Sequence, residues 1–179
     1  NGETWCTVQN SGVFCFDASG KIIAHPTSPA GTCIIYKDRR GAYWISNGSA
    51  LYSYNPHTGA YQEKLTFTSA GIYCMTDDNQ GNLYISVYSK GLYIYNVESG
   101  KVTVLNMRQR GNKGFLCNDW VRSMAFDHTG HLWIGTEADV IHEDDEHGFR
   151  ALPDECESGS ERCFEAFAMH PVMHLAHTG

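Results

Sequence analysis

Apolar residues fall in short runs along most of the chain, and the runs are rich in β-branched and aromatic side chains. Examples are GTCIIY, GIYCMT, LYISVY and GLYIYN, each bounded by Gly, Asp, Asn or Ser. Such runs predict strands, and the polar clusters between them predict turns. Polar alternation inside the runs is weak. A sheet with one wet face would alternate more cleanly. The pattern therefore predicts sheets buried on both faces.

The runs also repeat. GETWCT, GAYWIS, GNLYIS and GHLWIGT share a frame in which a Gly is followed three residues later by Trp5, Trp44, Tyr84 or Trp133. A second block follows each of them: GVFCFD, ALYSYN, GLYIYN and DVIHED. Another Gly comes three or four residues after that block's last residue, at Gly20, Gly59, Gly100 and Gly148. The anchors Gly2, Gly41, Gly81 and Gly130 are 39, 40 and 49 residues apart. That period is the size of one β-propeller blade. Each unit parses as four strands, the first being the run before the anchor, as at 72–76 and 121–126. Residues 1–152 hold the four units, and 153–179 read as an irregular tail or the start of a further blade.

Three anchors close an Asp-x-x-Gly turn, beginning at Asp38, Asp78 and Asp127. Aspartate at the first turn position can bond the backbone two residues on, and Gly at the last tolerates positive φ. The aromatic repeats in every unit, as a packing position would and a ligand site would not, so it is read as blade-to-blade packing.

Thirteen Lys and Arg against twenty Asp and Glu give −7, which disfavours a nucleic-acid backbone binder. No apolar run approaches the length of a membrane helix. The chain starts at Asn1 with no signal peptide, consistent with processing or a fragment. The seven cysteines show no zinc spacing, and most sit in apolar runs as small hydrophobes. Taking Asn10-Ser11 as a two-residue turn places Cys6 opposite Cys15, where a bridge would be strained. A Cys156–Cys163 bridge is the other pairing considered.

Chemistry-bearing clusters are few. Glu143, Asp144, Asp145 and Glu146 form a dense acidic run, expected in a hairpin turn and lacking the spacing of a calcium loop. His170, His174 and His177 would share a helix face, but Pro171 interrupts it, so no metal site is assigned. No nucleophile has an evident base, no catalytic motif is present, and no cofactor is expected. The segment 106–120 is the best binding candidate. Arg108, Arg110 and Lys113 supply positive donors, and Phe115 and Trp120 supply flat apolar surface. Cations beside aromatics suit an acidic sugar. The competing reading is a packed inter-blade loop with solvated basic residues.

The string DHTGHLWIGT at 127–136, with GLYIYNVESGKV and LYSYNPHTGAY, resembles the two-component regulator propeller repeat. The resemblance spans about residues 2–152. It implies an all-β propeller of four-stranded antiparallel blades, about four repeats here, as part of a larger ring. It implies a non-enzymatic, periplasmic sensor region of a hybrid two-component system, of the kind found in gut Bacteroidetes. Its ligand would be an oligosaccharide, and its parent a membrane-anchored protein carrying a histidine kinase elsewhere. Its partners would be the remaining blades, with a homodimer left open and no nucleic acid. The alternatives are a propeller glycoside hydrolase or lyase and a protein-interaction scaffold. The repeat departs from the pattern at EADVIHEDDEHG and dissolves after Leu152. Either the tail near 163–176 gives the first unit its missing first strand, or the units form an arc of a larger ring. The arc is favoured, and any helix is expected within 153–176.

Overall fold

The computed structural model describes residues 2–109, 116, 118–137, 140–144, 148–151 and 176–177, the last three stretches by their backbone. Strands β1 (Thr4–Val8), β2 (Gly12–Phe16) and β3 (Ile22–Ala24) belong to the first sheet. Strands β4 (Ile34–Lys37), β5 (Tyr43–Ser46), β6 (Ala50–Asn55) and β7 (Ala60–Thr66) form the second. The third contains β8 (Ile72–Asp77), β9 (Asn82–Val87), β10 (Gly91–Asn96) and β11 (Val102–Leu105). The fourth contains β12 (Val121–Phe126), β13 (Leu132–Thr136), β14 (Val140–Asp144) and β15 (Gly148–Ala151). Each of these three sheets runs in chain order with its neighbours hydrogen-bonded, as a propeller blade does. Among the described residues the one helical element is a 3₁₀ turn, Met107–Gln109.

The first sheet takes its fourth strand from the far end of the chain. β16 (Ala176–His177) pairs antiparallel with β1, Thr4 opposite His177 and Trp5 opposite Ala176. This differs from the favoured expectation, in which the first unit lacks its first strand within this chain. It also puts His177 in a strand, and not on a helix shared with His170 and His174, which lie outside the described residues. The expected helix within 153–176, the Cys156–Cys163 pair and Cys117 lie outside them too.

Contacts divide the chain into two compact units, one reaching Ile72 and including β16, the other starting at Tyr73. In the first unit Trp5, Val13, Cys15, Ile35, Ile45 and Tyr54 form one buried cluster that joins its two sheets. In the second unit Tyr84, Leu92, Leu116, Val121, Leu132 and Ile134 do the same. Burying both faces of a sheet this way explains the weak polar alternation of its strands. Each unit adds a latch. The Thr7 hydroxyl donates to the Cys33 carbonyl at 2.8 Å, and the buried Ser86 hydroxyl donates to the Val121 carbonyl at 2.6 Å. Both run from the second strand of one sheet to the start of the next sheet, at Cys33 just before β4 and at Val121, the first residue of β12.

The β1–β2 register corrects one expectation. Cys6 lies opposite Phe14, and Cys15 lies opposite Trp5. The turn holds three residues: Ser11 N–H donates to the Val8 carbonyl at 2.9 Å, with Asn10 at φ 61°. A shift of one residue sends a side chain to the opposite sheet face, so the two thiols are not cross-strand partners. Cys6, Cys15, Cys33 and Cys74 are all free thiols. The β9–β10 hairpin uses the same turn, with Lys90 N–H donating to Val87 O at 2.9 Å and Ser89 at φ 55°. It ends on Gly91 at φ 90°, where a Cβ would collide with the Leu105 carbonyl, so glycine is required there.

Candidate functional site

Antiparallel connections alternate between the two ends of a sheet, and the two ends carry different chemistry. At one end stand the Asp-x-x-Gly turns. Gly41 N–H donates to Asp38 O at 2.9 Å and Gly130 N–H to Asp127 O at 3.2 Å, with the glycines at φ 87° and 92°. One carboxylate oxygen then takes a backbone N–H four residues on, from Ala42 at 2.8 Å and from His131 at 3.0 Å. The other takes the repeat indole: Trp44 Nε1 donates to Asp38 Oδ2 at 2.8 Å, and Trp133 Nε1 to Asp127 Oδ2 at 2.9 Å. The aromatic thus packs and also pins the turn. Sequence reading assigned Asp38 and Asp127 as turn formers and missed the indole bond, whose signal is Asp-x-x-Gly-x-x-Trp. The Thr129 hydroxyl, the Trp133 indole and backbone N–H groups hold the Asp127 carboxyl well below the usual carboxylate range.

At the other end of the second unit, four aromatic and cationic side chains converge. Trp120 precedes β12 and Arg122 is its second residue; Tyr73 is the second residue of β8; Tyr88 lies in the β9–β10 turn. The Arg122 guanidinium carbon lies 4.9 Å from the Tyr73 ring centroid and 5.4 Å from that of Trp120. The Tyr88 and Trp120 rings are 5.0 Å apart, tilted by 42°. Glu137 holds Arg122 in place with a 2.9 Å ion pair between half-exposed partners. That hydrogen bond raises the Arg122 pKa further, so its charge is permanent. Tyr73 and Tyr88 remain 45% and 44% exposed, an open aromatic surface around a fixed cation.

The connection from β11 to β12 is anchored at both ends. Met107 N–H donates to Asp119 Oδ1 at 2.6 Å, and Trp120 N–H to Asn118 Oδ1 at 2.8 Å. Gly91 N–H donates to Asp119 O at 3.1 Å, and Glu137 N–H to Trp120 O at 3.0 Å. Leu116 is buried in the core of the unit. Of the five sequence-predicted residues, Trp120 lies in the cluster. Arg108 is exposed in the 3₁₀ turn, its N–H bonded to Asn106 Oδ1 at 3.0 Å. Arg110, Lys113 and Phe115 lie outside the described residues. Tyr73, Tyr88 and Arg122 were not anticipated. Their signal is positional: Cys33, Tyr73 and Arg122 each stand five residues before a turn aspartate, at the start of a first strand. Of the acidic run, Glu143 and Asp144 end β14, opposite Phe149 and Gly148, and Asp145 and Glu146 lie outside the described residues. No group of three potential metal ligands occurs among the described residues.

Residues 116–138 match the family model described as two component regulator propeller. No curated protein matches the chain. Among solved structures, the chain is similar to the extracellular domain assigned to a one component system of B. thetaiotaomicron. The TM-score is 0.62 and the identity 21%, over 83% of this chain and 20% of that one. It is similar to another such domain, assigned to a hybrid two component system, with TM-score 0.63 and 18% identity over 84% and 22% of the two chains. Virginiamycin B lyase from Staphylococcus aureus gives 0.65 and 15%, over 88% and 54%. The chain therefore spans about a fifth of the two extracellular domains and about half of the lyase. These likenesses agree with the sheets in fixing the fold: the chain is an all-β propeller chain, and its residues 116–138 are similar to the two component regulator propeller repeat.

Proposed function

We propose that this chain forms part of the ligand-sensing propeller of a two-component signalling receptor, and that its ligand is an oligosaccharide. The carrying observation is the Tyr73–Tyr88–Trp120–Arg122 cluster, which offers aromatic faces for the apolar side of a sugar ring and a fixed cation for its oxygens. The sequence between β11 and β12 adds Arg108, Arg110, Lys113 and Phe115 as further candidates for contacting the ligand. The similarity to extracellular domains supports an extracytoplasmic setting, in the periplasm of a membrane-anchored receptor. Its partners are then the ligand, the other blades of that receptor and a second receptor copy. A hydrolase would want paired acids flanking its ligand. The repeat position that supplies Tyr73 and Arg122 holds Cys33 in the second sheet and no acid, which favours binding over hydrolysis.

The test is a glycan array probed with the parent sensor region, followed by titration calorimetry with Trp120→Ala and Tyr88→Ala. Binding of one oligosaccharide class, weakened by both substitutions, is the expected result. Binding that both leave unchanged would move the ligand elsewhere, and no glycan binding at all would favour a scaffold.

A further inference from the structure

The backbone of β12 singles out Arg122. Val121 lies opposite Thr136 and Ser123 opposite Gly135, so β12 carries one extra residue at Arg122. A bulge of this kind re-aims a side chain, and bulges collect beside functional sites. The ladder goes one step further: Glu137 N–H donates to Trp120 O at 3.0 Å, which sets Glu137 opposite Trp120. The register thus delivers a carboxylate to the cation and its rings, and Arg122 Nη2 donates to Glu137 Oε1 at 2.9 Å. Both partners of this ion pair are half-exposed, so a ligand on the rings also meets the pair.

The pair changes what this surface can accept. A guanidinium offers N–H donors and no acceptor, and a carboxylate offers acceptors and no donor. Side by side they match hydroxyl groups, which both give and take, and a neutral sugar ring carries hydroxyls on neighbouring carbons. The apolar side of such a ring fits the exposed rings of Tyr73 and Tyr88. An acidic sugar meets a different balance. Its carboxylate or sulfate would approach Arg122 beside a carboxylate already bonded to that guanidinium, and the two like charges repel. Specificity rests on such a repulsive element as much as on the attractive one.

Given the reading of this cluster as a sugar site, on which this step rests, we propose that Glu137 sets the charge class of the ligand: the oligosaccharide is neutral, and Glu137 turns acidic sugars away. Arg108, Arg110 and Lys113 of the β11–β12 connection would favour an acid. The cation that touches the rings, however, is Arg122, and Glu137 answers its charge. Glu137 is then a specificity residue as well as the support of Arg122.

The experiment probes the full chain and its Glu137→Gln form with an array of neutral, uronic-acid-containing and sulfated oligosaccharides. Titration calorimetry then measures the leading neutral and acidic ligands. The native chain should bind neutral oligosaccharides in preference. Glutamine keeps an acceptor for Arg122 and gives up the charge, so Glu137→Gln should raise the ratio of acidic to neutral affinity by about tenfold or more. That gain should shrink as salt rises, as a charge effect does and a change of shape does not. A native chain that prefers acidic oligosaccharides would overturn the role of Glu137 and leave the sugar site standing. A ratio that Glu137→Gln leaves unmoved would do the same. If neither form binds any glycan, the sugar site itself falls, and the charge class with it.

Discussion

At the turn end of the sheets, Asp38 and Asp127 do the same thing in two different units of the chain: each closes a turn, bonds a backbone N–H and takes an indole. At the opposite end the repeat positions disagree. The residue five before the turn aspartate is Cys33 in one sheet, just ahead of β4, and Tyr73 and Arg122 in two others, as second residues of β8 and β12. The connecting turn is Val-x-x-x-Gly in two sheets and differs in the second, where Ser46 pairs with Leu51. Uniform chemistry answers a demand every blade shares, namely stable hairpins and packed sheets. Variable chemistry is free of that demand, and it is where exposed aromatics and a fixed cation collect. One end should govern stability and the other ligand binding.

The largest effect that can test this division is at the core side of the turn end. Trp44 is 2% exposed, and Trp44→Ala removes a large buried ring together with the Asp38 bond. A loss of about 3–5 kcal/mol is expected from such a truncation, read as a lowered urea midpoint. Asp38→Ala should cost less, about 1–3 kcal/mol, because the ring stays packed and only its donor is stranded. Neither should alter the proposed ligand binding by the second unit once the protein is folded. If Asp38→Ala weakened binding as much as stability, the division between the ends would fail.

Acid probes the same turns without mutation. The Asp127 carboxyl is held below its unfolded value by Thr129, Trp133 and backbone donors, and that of Asp17 by Ser19 and Lys21. A depressed carboxylate contributes stability that is fully present above the unfolded pKa of about 3.9 and is lost as pH falls through the folded value. Thermal melts from about pH 7 to about pH 2 should therefore show a steep acid-side loss of Tm. Asp127→Asn should lower the neutral Tm and flatten that loss. An unchanged acid limb would mean that these turns do not respond as carboxylate sites.

How far this was readable in the sequence follows the same split. The turn end was legible because it repeats: four anchors, three turn aspartates and the aromatic gave the blades and strand order. The repeat was also the better guide to register. Trp44 opposes Ser53 and Tyr84 opposes Ile94, so equivalence alone places Cys15 opposite Trp5. Counting a two-residue turn at Asn10-Ser11 gave Cys6 instead, because it overlooked that VQNSG and VYSKG are one turn with a positive φ at the third residue. Among the candidate residues, Trp120 was singled out through its loop, and the structure places it against Tyr88 and Arg122. Arg122 was hidden because it sits inside a strand, where its neighbours' spacing marks it as sheet. Tyr73 was hidden for the same reason, and Tyr88, in the turn after β9, was hidden because it ends the apolar run LYISVY, which reads as strand.

At the open end, Trp120→Ala and Arg122→Ala should each weaken oligosaccharide binding by about tenfold or more, as loss of a central aromatic or arginine contact does. The urea midpoint should move little, because Tyr73 and Tyr88 are already exposed and Arg122 is half-exposed. Arg122→Lys sharpens the point. It keeps the charge but not the flat guanidinium, so partial loss would assign the role to stacking and no loss would assign it to charge alone.

The smallest effect separates the ends by reactivity. Cys33 shares its repeat position with Tyr73 and Arg122 and is exposed, whereas Cys6, Cys15 and Cys74 are buried. Burial pushes the Cys74 thiol up to about 12 and raises those of Cys6 and Cys15, so these three stay protonated and shielded at neutral pH. A maleimide added to the native chain should therefore label Cys33 before the three buried thiols, and Cys33→Ser should remove that labelled site while leaving Tm nearly unchanged. Peptide mapping identifies the modified residue directly. Early labelling of Cys6 or Cys15 would show that the β1–β2 hairpin opens more readily than its burial implies, and would place its weak point on the sheet whose fourth strand is the two-residue β16.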